Sequence, residues 1–457
     1  MHVLALLCAS SLLLAVVLTP RARDFALRHG FLDRPDERRK LHAHPVPNLG
    51  GAPILLAYAL SFAILWLLDA AARPLLDFAA AAKAAPAVLL IFATGVLDDR
   101  YKLKPAQKLL LQAAAAVAAY LAGVRVGGLA GHFLPAYLSW PATILWLVLC
   151  TNAINLMDGV DGLAAGLGIF AAATTLVAAL MQHNLPLALA TAPLAGALLG
   201  FLPYNFSPAT MFLGDSGSLL TGFLLGCFGA VWLQKSATLL GMTAPLMALS
   251  IPLLDVCTSV VRRVRAGRPV FAADRRHIHH RLLDLGLGPR RTVLLLYAAC
   301  GLGAVFSIFQ SSAADHYASA VILVFSALTF AGWYRLREVE HRASHAGPLT
   351  SFANAFPRAE TTEQRWRILR ETAFELGFAE VRWQCAGTLH RDRRGGACSD
   401  QWVLRIPLEG EDFIELIGAG GASSCAVDPA EVSRVLRRAQ WAPTPASISQ
   451  SRPSARR

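Results

Sequence analysis

From Met1 to Tyr334 the sequence is a succession of apolar runs separated by short polar segments, and no other feature constrains the fold as much. A bilayer core about 30 Å thick is crossed by a helix of about 20 apolar residues. Closed barrels aside, only a helix satisfies its own backbone polar groups in that environment. Spans are predicted at 2–20, 51–69, 84–98, 106–123, 137–154, 160–181, 186–202, 212–232, 238–261, 292–311 and 317–334, eleven in all. Composition agrees: 55% of the 457 residues are apolar and 16% charged, whereas a soluble domain carries about 25% charged residues. An ordinary soluble enzyme, a disordered chain and a small secreted scaffold are excluded on that ground. The eight cysteines fall singly, with no C-x-x-C spacing, and read as small buried hydrophobes. The predicted fold class is an all-α polytopic membrane protein followed by a small cytoplasmic α+β module.

Orientation follows from the distribution of Lys and Arg. Segments after the odd-numbered spans hold 20 of them, nine between residues 262 and 291, while those after even-numbered spans hold four: Arg73, Lys83, Arg125 and Lys235. The N-terminus is therefore expected outside and the long C-terminal tail in the cytoplasm. Most of the net charge of +12 belongs to this loop asymmetry, beside anionic lipid. No base-reading element accompanies it, so nucleic acid is not an expected partner.

Carboxylates at membrane depth are costly, and those that persist are usually functional. Asp98 and Asp99 close the third span in GVLDDRYKLKPAQK. Asp158 and Asp161 lie between the fifth and sixth in TNAINLMDGVDGLAAG, and Asp215 opens the eighth in FLGDSGSLL. The predicted orientation turns all three sets to the cytoplasm, together with a basic loop holding Arg275, Arg276, His277, His279, His280 and Arg281. Carboxylates and amides without thiolates form a hard oxygen site, suited to Mg²⁺ or Mn²⁺. Asn152, Asn155, Asp158 and Asp161 recur every three residues, so neighbours share a face wherever the segment is helical. Gly159 and Gly162 are placed to break that helix. Lys108, Arg275, Arg276 and Arg281 have the chemistry to clamp phosphate oxygens. A metal and a basic clamp at one membrane face read as phosphoryl transfer. Singly, each feature has a plainer reading: a solvated helix end, a turn, a helix N-cap, surface charge. Their coincidence on one face outweighs these. Asp255, near the inner end of the ninth span, is read as a structural partner of Arg262 or Arg263, and Asp69, Asp77 and Asp315 as solvated external residues.

In this order the motifs resemble those of the polyprenyl-phosphate N-acetylhexosamine-1-phosphate transferases (glycosyltransferase family 4), a superfamily that includes the phospho-MurNAc-pentapeptide translocase. The resemblance opens at GFLDRPDERRKLHAHPVPNLGG, with Asp33, Lys40 and His42, and continues through GVLDDRYKLKPAQKLLLQ, NAINLMDGVDGLAAG, FLGDSGS and RRHIHHRL. It implies transfer of an N-acetylhexosamine 1-phosphate, GlcNAc-1-phosphate being favoured, from a UDP-sugar to undecaprenyl phosphate at the cytoplasmic face of the bacterial inner membrane. The products would be a lipid-linked sugar pyrophosphate and UMP. It further implies Mg²⁺, with Mn²⁺ as the alternative, held by Asn155 and Asp215. Catalytic roles fall to Asp98, Asp99, Asp158 and Asp161, with Asp98 or Asp99 as the base that keeps the lipid phosphate ionised. Substrate contacts fall to Asp33, Lys40, His42, Lys108, Asn152, Arg276, His277, His279, His280 and Arg281. A single displacement is favoured over a covalent aspartyl intermediate, because a lipid phosphate is already ionised near neutral pH. NAINLMDGVDGL and HIHH look like the polysaccharide-initiating branch; the peptidoglycan translocase is the alternative. The implied partners are undecaprenyl phosphate, a UDP-N-acetylhexosamine and membrane lipids, with homodimerisation left open.

Residues 335–457 depart from that pattern. The expected division is a membrane domain over 1–334, a linker over 335–360, a module over 361–441 and a disordered tail over 442–457. Helices are read at 361–377 and 428–440, and strands at 379–385, 401–408 and 412–418. Cys385, His390 and Cys398 lack the paired spacing of a metal site. The competing class is a transporter or a non-catalytic lipid-binding scaffold. A transporter would place its ionisable groups at the midplane, in repeated halves, whereas here they gather at one face.

Overall fold

A computed structural model of the chain describes residues 1–33, 45–129, 132–235, 249–265, 277–312, 323–332, 334–335, 349, 351–353, 355–394, 401–408, 411–419 and 429–439. The described residues are mostly helical, and the chain divides into two compact units, Met1–Thr329 and Phe330–Arg457.

In the first unit the apolar runs fold into α1 (His2–His29), α2 (Gly51–Leu68), α3 (Phe78–Tyr101), α4 (Pro105–Leu121), α5 (Ala136–Met157), α6 (Leu163–Met181), α7 (Leu185–Asn205), α8 (Gly214–Lys235), α9 (Ser250–Arg265), the short α10 (Ile278–Asp284) and α11 (Pro289–Ser312). A further helix, α12, spans Leu323–Gly332. Among the described residues seven helices, α1, α2, α3, α5, α6, α7 and α11, are long and apolar enough to cross a membrane. That is fewer than the eleven spans read from the sequence. Helix α4 has 17 residues, and the predicted ninth and eleventh spans run partly through 236–248 and 313–322, outside the described residues.

Helix α1 packs along α7 and α2, α6 lies against α7, and α3 and α5 flank α8. The α1–α7 approach runs through GALLG in α7. A Cβ at Gly196 or Gly200 would lie 2.2 and 2.4 Å from the carbonyl oxygens of Cys8 and Leu12, which is the small-xxx-small contact by which membrane helices close up. Leu7, Ile54, Ile91, Leu147, Ile154 and Phe201 form a fully buried centre. Thr19, Thr94, Thr143, Thr151, Thr174 and Thr191 each donate to the carbonyl four residues earlier at 2.6–2.7 Å. Their hydroxyls are thus satisfied inside the apolar bundle. Two short antiparallel ladders complete the unit: β1 (Leu32–Asp33) with β2 (Val46–Pro47), and β3 (Gly128–Leu129) with β4 (His132–Phe133). Asp69 and Asp77 do more than face water. Asp69 accepts the backbone N–H groups of Ala71 and Ala72 and lies 3.0 Å from the His2 ring, and Asp77 caps α3 by accepting from Ala80. Both open a helical turn whose first N–H groups need acceptors. Asp315 lies outside the described residues.

The second unit is built on β5 (Glu380–Cys385), β6 (Thr388–Arg393), β7 (Gln401–Pro407) and β8 (Phe413–Ala419), antiparallel in the order β6-β5-β8-β7. Helices α13 (Thr362–Glu375) and α14 (Pro429–Arg438) pack on it around Trp383, Leu369, Ile406, Ile414, Val432 and Leu436. Thr361 and Gln364 cap α13 reciprocally. Strand β6 is not among the predicted strands, because TLHRDR carries the charged residues tolerated at a sheet edge rather than an apolar alternation. Phe352 and Phe356 are fully buried in this core, so it reaches back into the segment read as a linker. The segment 442–457 lies outside the described residues.

Candidate active site

The last turns of α3 and α5 and the first turns of α4 and α8 meet at one place, and this juxtaposition builds the site. Helix α8 starts at Gly214, whose φ of 69° favours glycine and whose Cβ, if present, would lie 2.6 Å from the Asn48 carbonyl oxygen. The first N–H groups of a helix have no partner within it. Asp99, buried in the last turn of α3, supplies one: its Oδ1 accepts from the Asp215 N–H and its Oδ2 from the Ser216 N–H, both at 2.9 Å. Asn48 donates to the same carboxylate at 3.3 Å. Gly51 and Gly95 let α2 and α3 reach that first turn, since a Cβ on either would come within 2.4 Å of the Asp215–Ser216 backbone.

The side chain of Asp215 is held as firmly as its backbone. Its Oδ1 lies 3.0 Å from Lys108 Nζ and accepts a short hydrogen bond from Asn155 Nδ2. Lys108 also donates to Asp98 Oδ2 at 2.9 Å and Asn155 Oδ1 at 3.2 Å. Asp98 Oδ1 accepts from the Leu103 N–H at 2.7 Å, fastening the turn into α4. Asn155 Nδ2 donates in addition to Ser218 Oγ at 2.9 Å. Three oxygens from three helices therefore surround one ammonium group.

The run from Asn152 to Asp161 does not act as one face, because α5 ends at Met157 and the helical spacing stops there. Asn152 donates to Gln112 on α4 at 2.6 Å. Asp161 accepts from the Ala209 N–H at 3.0 Å, fixing the segment after α7. Loss of solvent, then the charges of Asp215, Asp99 and Asp161, hold the Asp158 carboxyl well above the ordinary carboxylate range.

The histidines approach the same turn from α10. His279 is 1% exposed and its ring occupies the space a side chain at residue 159 would need: a Cβ on Gly159 would lie 2.5 Å from His279 Nε2. Among the described residues neither ring nitrogen of His279 has a hydrogen-bond partner. Burial, then the neighbouring His280, pushes its pKa down to about 3, so the ring is a neutral imidazole. Asp255, read from the sequence as a structural residue, bonds the start of α10: its Oδ2 lies 2.8 Å from His277 Nδ1 and its Oδ1 accepts from the Ile278 N–H at 2.9 Å. Arg281 is buried on α10 and His280 is half-buried. Asp33 is half-buried in β1, whose partner strand leads into Asn48. Lys40, His42, Arg275 and Arg276 lie outside the described residues. Asn48, Gln112, Ser218 and Asp255 were not singled out from the sequence as site residues. The first three stand inside the motifs quoted, and the fourth is an acid within an apolar run, which was the available signal.

Among the described residues no three His, Cys, Asp or Glu side chains converge as a metal cage. Asp98, Asp215 and Asn155 nonetheless aim three hard oxygens at one cationic point, Lys108 Nζ, within 2.9–3.2 Å. Mg²⁺ is commonly held by one or two carboxylates plus substrate phosphates rather than by an all-protein cage. The donor set fits that mode.

Residues 82–233 match the family model described as Glycosyl transferase family 4. The chain is 33% identical over 303 residues to a probable undecaprenyl-phosphate N-acetylglucosaminyl 1-phosphate transferase of Bacillus subtilis, covering 65% of this chain and 81% of that protein. It is 35% identical over 339 residues to a decaprenyl-phosphate N-acetylglucosaminephosphotransferase of Mycolicibacterium smegmatis, covering 67% and 82%. To the undecaprenyl-phosphate alpha-N-acetylglucosaminyl 1-phosphate transferase of Escherichia coli it is 28% identical over 306 residues, covering 62% and 77%.

Proposed function

The chain belongs to glycosyl transferase family 4, and from that premise we propose that it transfers GlcNAc 1-phosphate from UDP-GlcNAc to undecaprenyl phosphate, releasing UMP. The observation that carries this reading is the convergence of Asp98, Lys108, Asn155 and Asp215 at adjoining helix ends. A pyrophosphate donor and a phosphate acceptor bring several negative charges together, and a site for them needs fixed positive charge and a place for a metal. Lys108 supplies the first. Asp215 and Asn155, with Asp98 beside them, are the residues that would hold Mg²⁺, which when bound neutralises charge on the leaving UMP.

The remaining roles divide by geometry. Both oxygens of Asp99 are occupied by backbone N–H groups, which supports a role in holding Asp215 in place. Asp98 is then the better candidate for the carboxylate that keeps the lipid phosphate ionised. His279, neutral and beside the Asp158–Gly159 turn, suits contact with the sugar nucleotide, and Lys40, His42 and Arg276 are proposed to join it there. The loop asymmetry in Lys and Arg supports a topology of eleven spans with the N-terminus outside. The cluster adjoins Arg100 and Lys102, so in that topology it faces the cytoplasm of a bacterial inner membrane.

The test is UMP release by the purified chain with undecaprenyl phosphate, Mg²⁺ and UDP-GlcNAc, with EDTA and Asp215→Asn controls. Metal-dependent release lost in the variant is expected. Silence with UDP-GlcNAc, UDP-GalNAc and UDP-MurNAc-pentapeptide alike would overturn the reading in favour of a non-catalytic lipid-binding protein.

A further inference from the structure

Asp255 belongs to none of the quoted motifs and sits in an apolar helix where a carboxylate is expensive, whereas its neighbour His277 opens the HIHH motif. Both are buried: the side chains are 4% and 6% exposed and lie 2.8 Å apart. We propose that Asp255 is a positioning residue of the transfer site, which acts through His277 to set the ring's protonated nitrogen and seat the histidine helix against the Asp158–Gly159 turn. The inference rests on the transferase reading above.

The geometry works through both carboxylate oxygens. Oδ2 faces His277 Nδ1. An ionised carboxylate only accepts hydrogen bonds, so Nδ1 carries the proton and Nε2 is left as the ring's remaining polar atom. Ser259, one turn further along α9, places its Oγ 3.5 Å from the same Nδ1. Oδ1 accepts from the N–H of Ile278, the first residue of α10. That helix has seven residues, too few to be stable by itself, so an acceptor at its open N-terminal end fixes where it starts and which way it runs. The His279 ring lies parallel to that of His277, with centroids 5.9 Å apart and planes 6° from parallel, and is seated on Gly159. A change at Asp255 therefore reaches the substrate site through the histidines. Outer partners that orient a functional histidine in this way commonly matter about 10- to 100-fold.

The test is a double-substitution cycle on the full chain in lipid nanodiscs, with kcat and both KM values taken from UMP release. The proteins are wild type, Asp255→Asn, His277→Gln and the double variant, with Asp255→Glu as a charge-retaining second substitution. Asp255→Asn is expected to raise KM for UDP-GlcNAc about tenfold while KM for undecaprenyl phosphate stays within about twofold. In the His277→Gln background the same change is expected to make less than about a twofold difference, because its target is already gone. An additive cycle overturns the proposal. So does a loss confined to kcat with both KM values unchanged, the signature of a smaller folded fraction. Should Asp255→Asn not fold, the cycle is read with Asp255→Glu, and additivity overturns the proposal equally. Wild-type protein that releases no UMP from any sugar nucleotide overturns the transferase reading and this inference with it.

Discussion

Replacing Gly95 with alanine adds one methyl group at the point where α3 touches the start of α8. That methyl carbon would lie 2.4 Å from both the Asp215 carbonyl oxygen and the Ser216 Cα, whereas ordinary contact begins at 3.4 Å. Both obstructing atoms are backbone, so no side chain can rotate away, and α3 and α8 must separate by about 1 Å. Asp99 sits one turn beyond Gly95, and its two 2.9 Å bonds to the Asp215 and Ser216 N–H groups would lengthen past useful range. Overpacking of this kind destabilises by about 1–3 kcal/mol, and each weakened hydrogen bond adds about 1 kcal/mol. The functional loss should be larger than the stability loss suggests, since about 1 Å of misplacement at a reacting centre can lower the rate about 100-fold. The assay is UMP release per monodisperse protein, with thermal unfolding in the same detergent. Gly301→Ala is the control: a Cβ there would meet only Phe170 Cε1 at 3.6 Å, and activity within about twofold of wild type is expected. Gly95→Ala with more than half of wild-type kcat and an unchanged unfolding temperature would refute the claim that this contact places Asp215.

Asp99→Asn keeps the shape of the side chain but puts an NH₂ where one α8 N–H needs an acceptor. A loss of about 1–3 kcal/mol in stability should accompany the loss of activity, measured by chemical or thermal unfolding; an inactive variant of wild-type stability would instead make Asp99 a participant in the chemistry. The His279 ring stays neutral in the folded state down to about pH 3, whereas an unfolded histidine takes up its proton near pH 6.5. The unfolded state therefore binds more protons between those values, and stability falls as pH drops from about 6.5 toward 3. His279→Gln should flatten the fall in unfolding temperature between about pH 6.5 and 5, and equal slopes in the two proteins would count against this.

Most of the helices and most of the cluster were legible in the sequence for the same reason: polar residues are rare in apolar runs, so each one is conspicuous. Asp98, Lys108, Asn155 and Asp215 announce themselves in this way, and the structure brings them together. What periodicity could not give is the direction each side chain takes once its helix ends. Asn152, Asp158 and Asp161 share a three-residue spacing with Asn155, yet α5 stops at Met157, and Asn152 and Asp161 turn to separate partners. The role of Asp99 was hidden because it depends on backbone N–H groups 116 and 117 residues away. Asp255 shows a related limit: Arg262 and Arg263 are close in sequence and were the partners expected of it, whereas its described partners His277 and Ile278 arrive from beyond the loop. Edge strand β6 was missed because its charged residues erase the alternation by which strands are read.

Lys108 decides whether the three oxygens around it constitute a cation site. Its Nζ lies 2.9 Å from Asp98 Oδ2 and 3.0 Å from Asp215 Oδ1, and its side chain is 17% exposed against 9% and 22% for the two carboxylates. Lys108→Met removes the charge with little change in volume, leaving two facing carboxylates without a counter-ion. Stripping one partner from a fully buried pair destabilises by about 3–5 kcal/mol; the partial exposure here reduces that to about 2 kcal/mol. If the oxygens form a cation site, Mg²⁺ added to the variant supplies the missing charge, and ligand linkage then raises its unfolding temperature more than it raises that of wild type. Thermal unfolding of both proteins, with EDTA and across a Mg²⁺ series, gives the comparison without any turnover. Turnover itself should remain low, because a metal between Asp98 and Asp215 does not restore the ammonium group proposed to hold substrate phosphate. No stabilisation of either protein by Mg²⁺ would refute the cation site and leave Lys108 as a structural ion pair, and equal stabilisation of the two would refute the claim that the metal takes the place of the ammonium group.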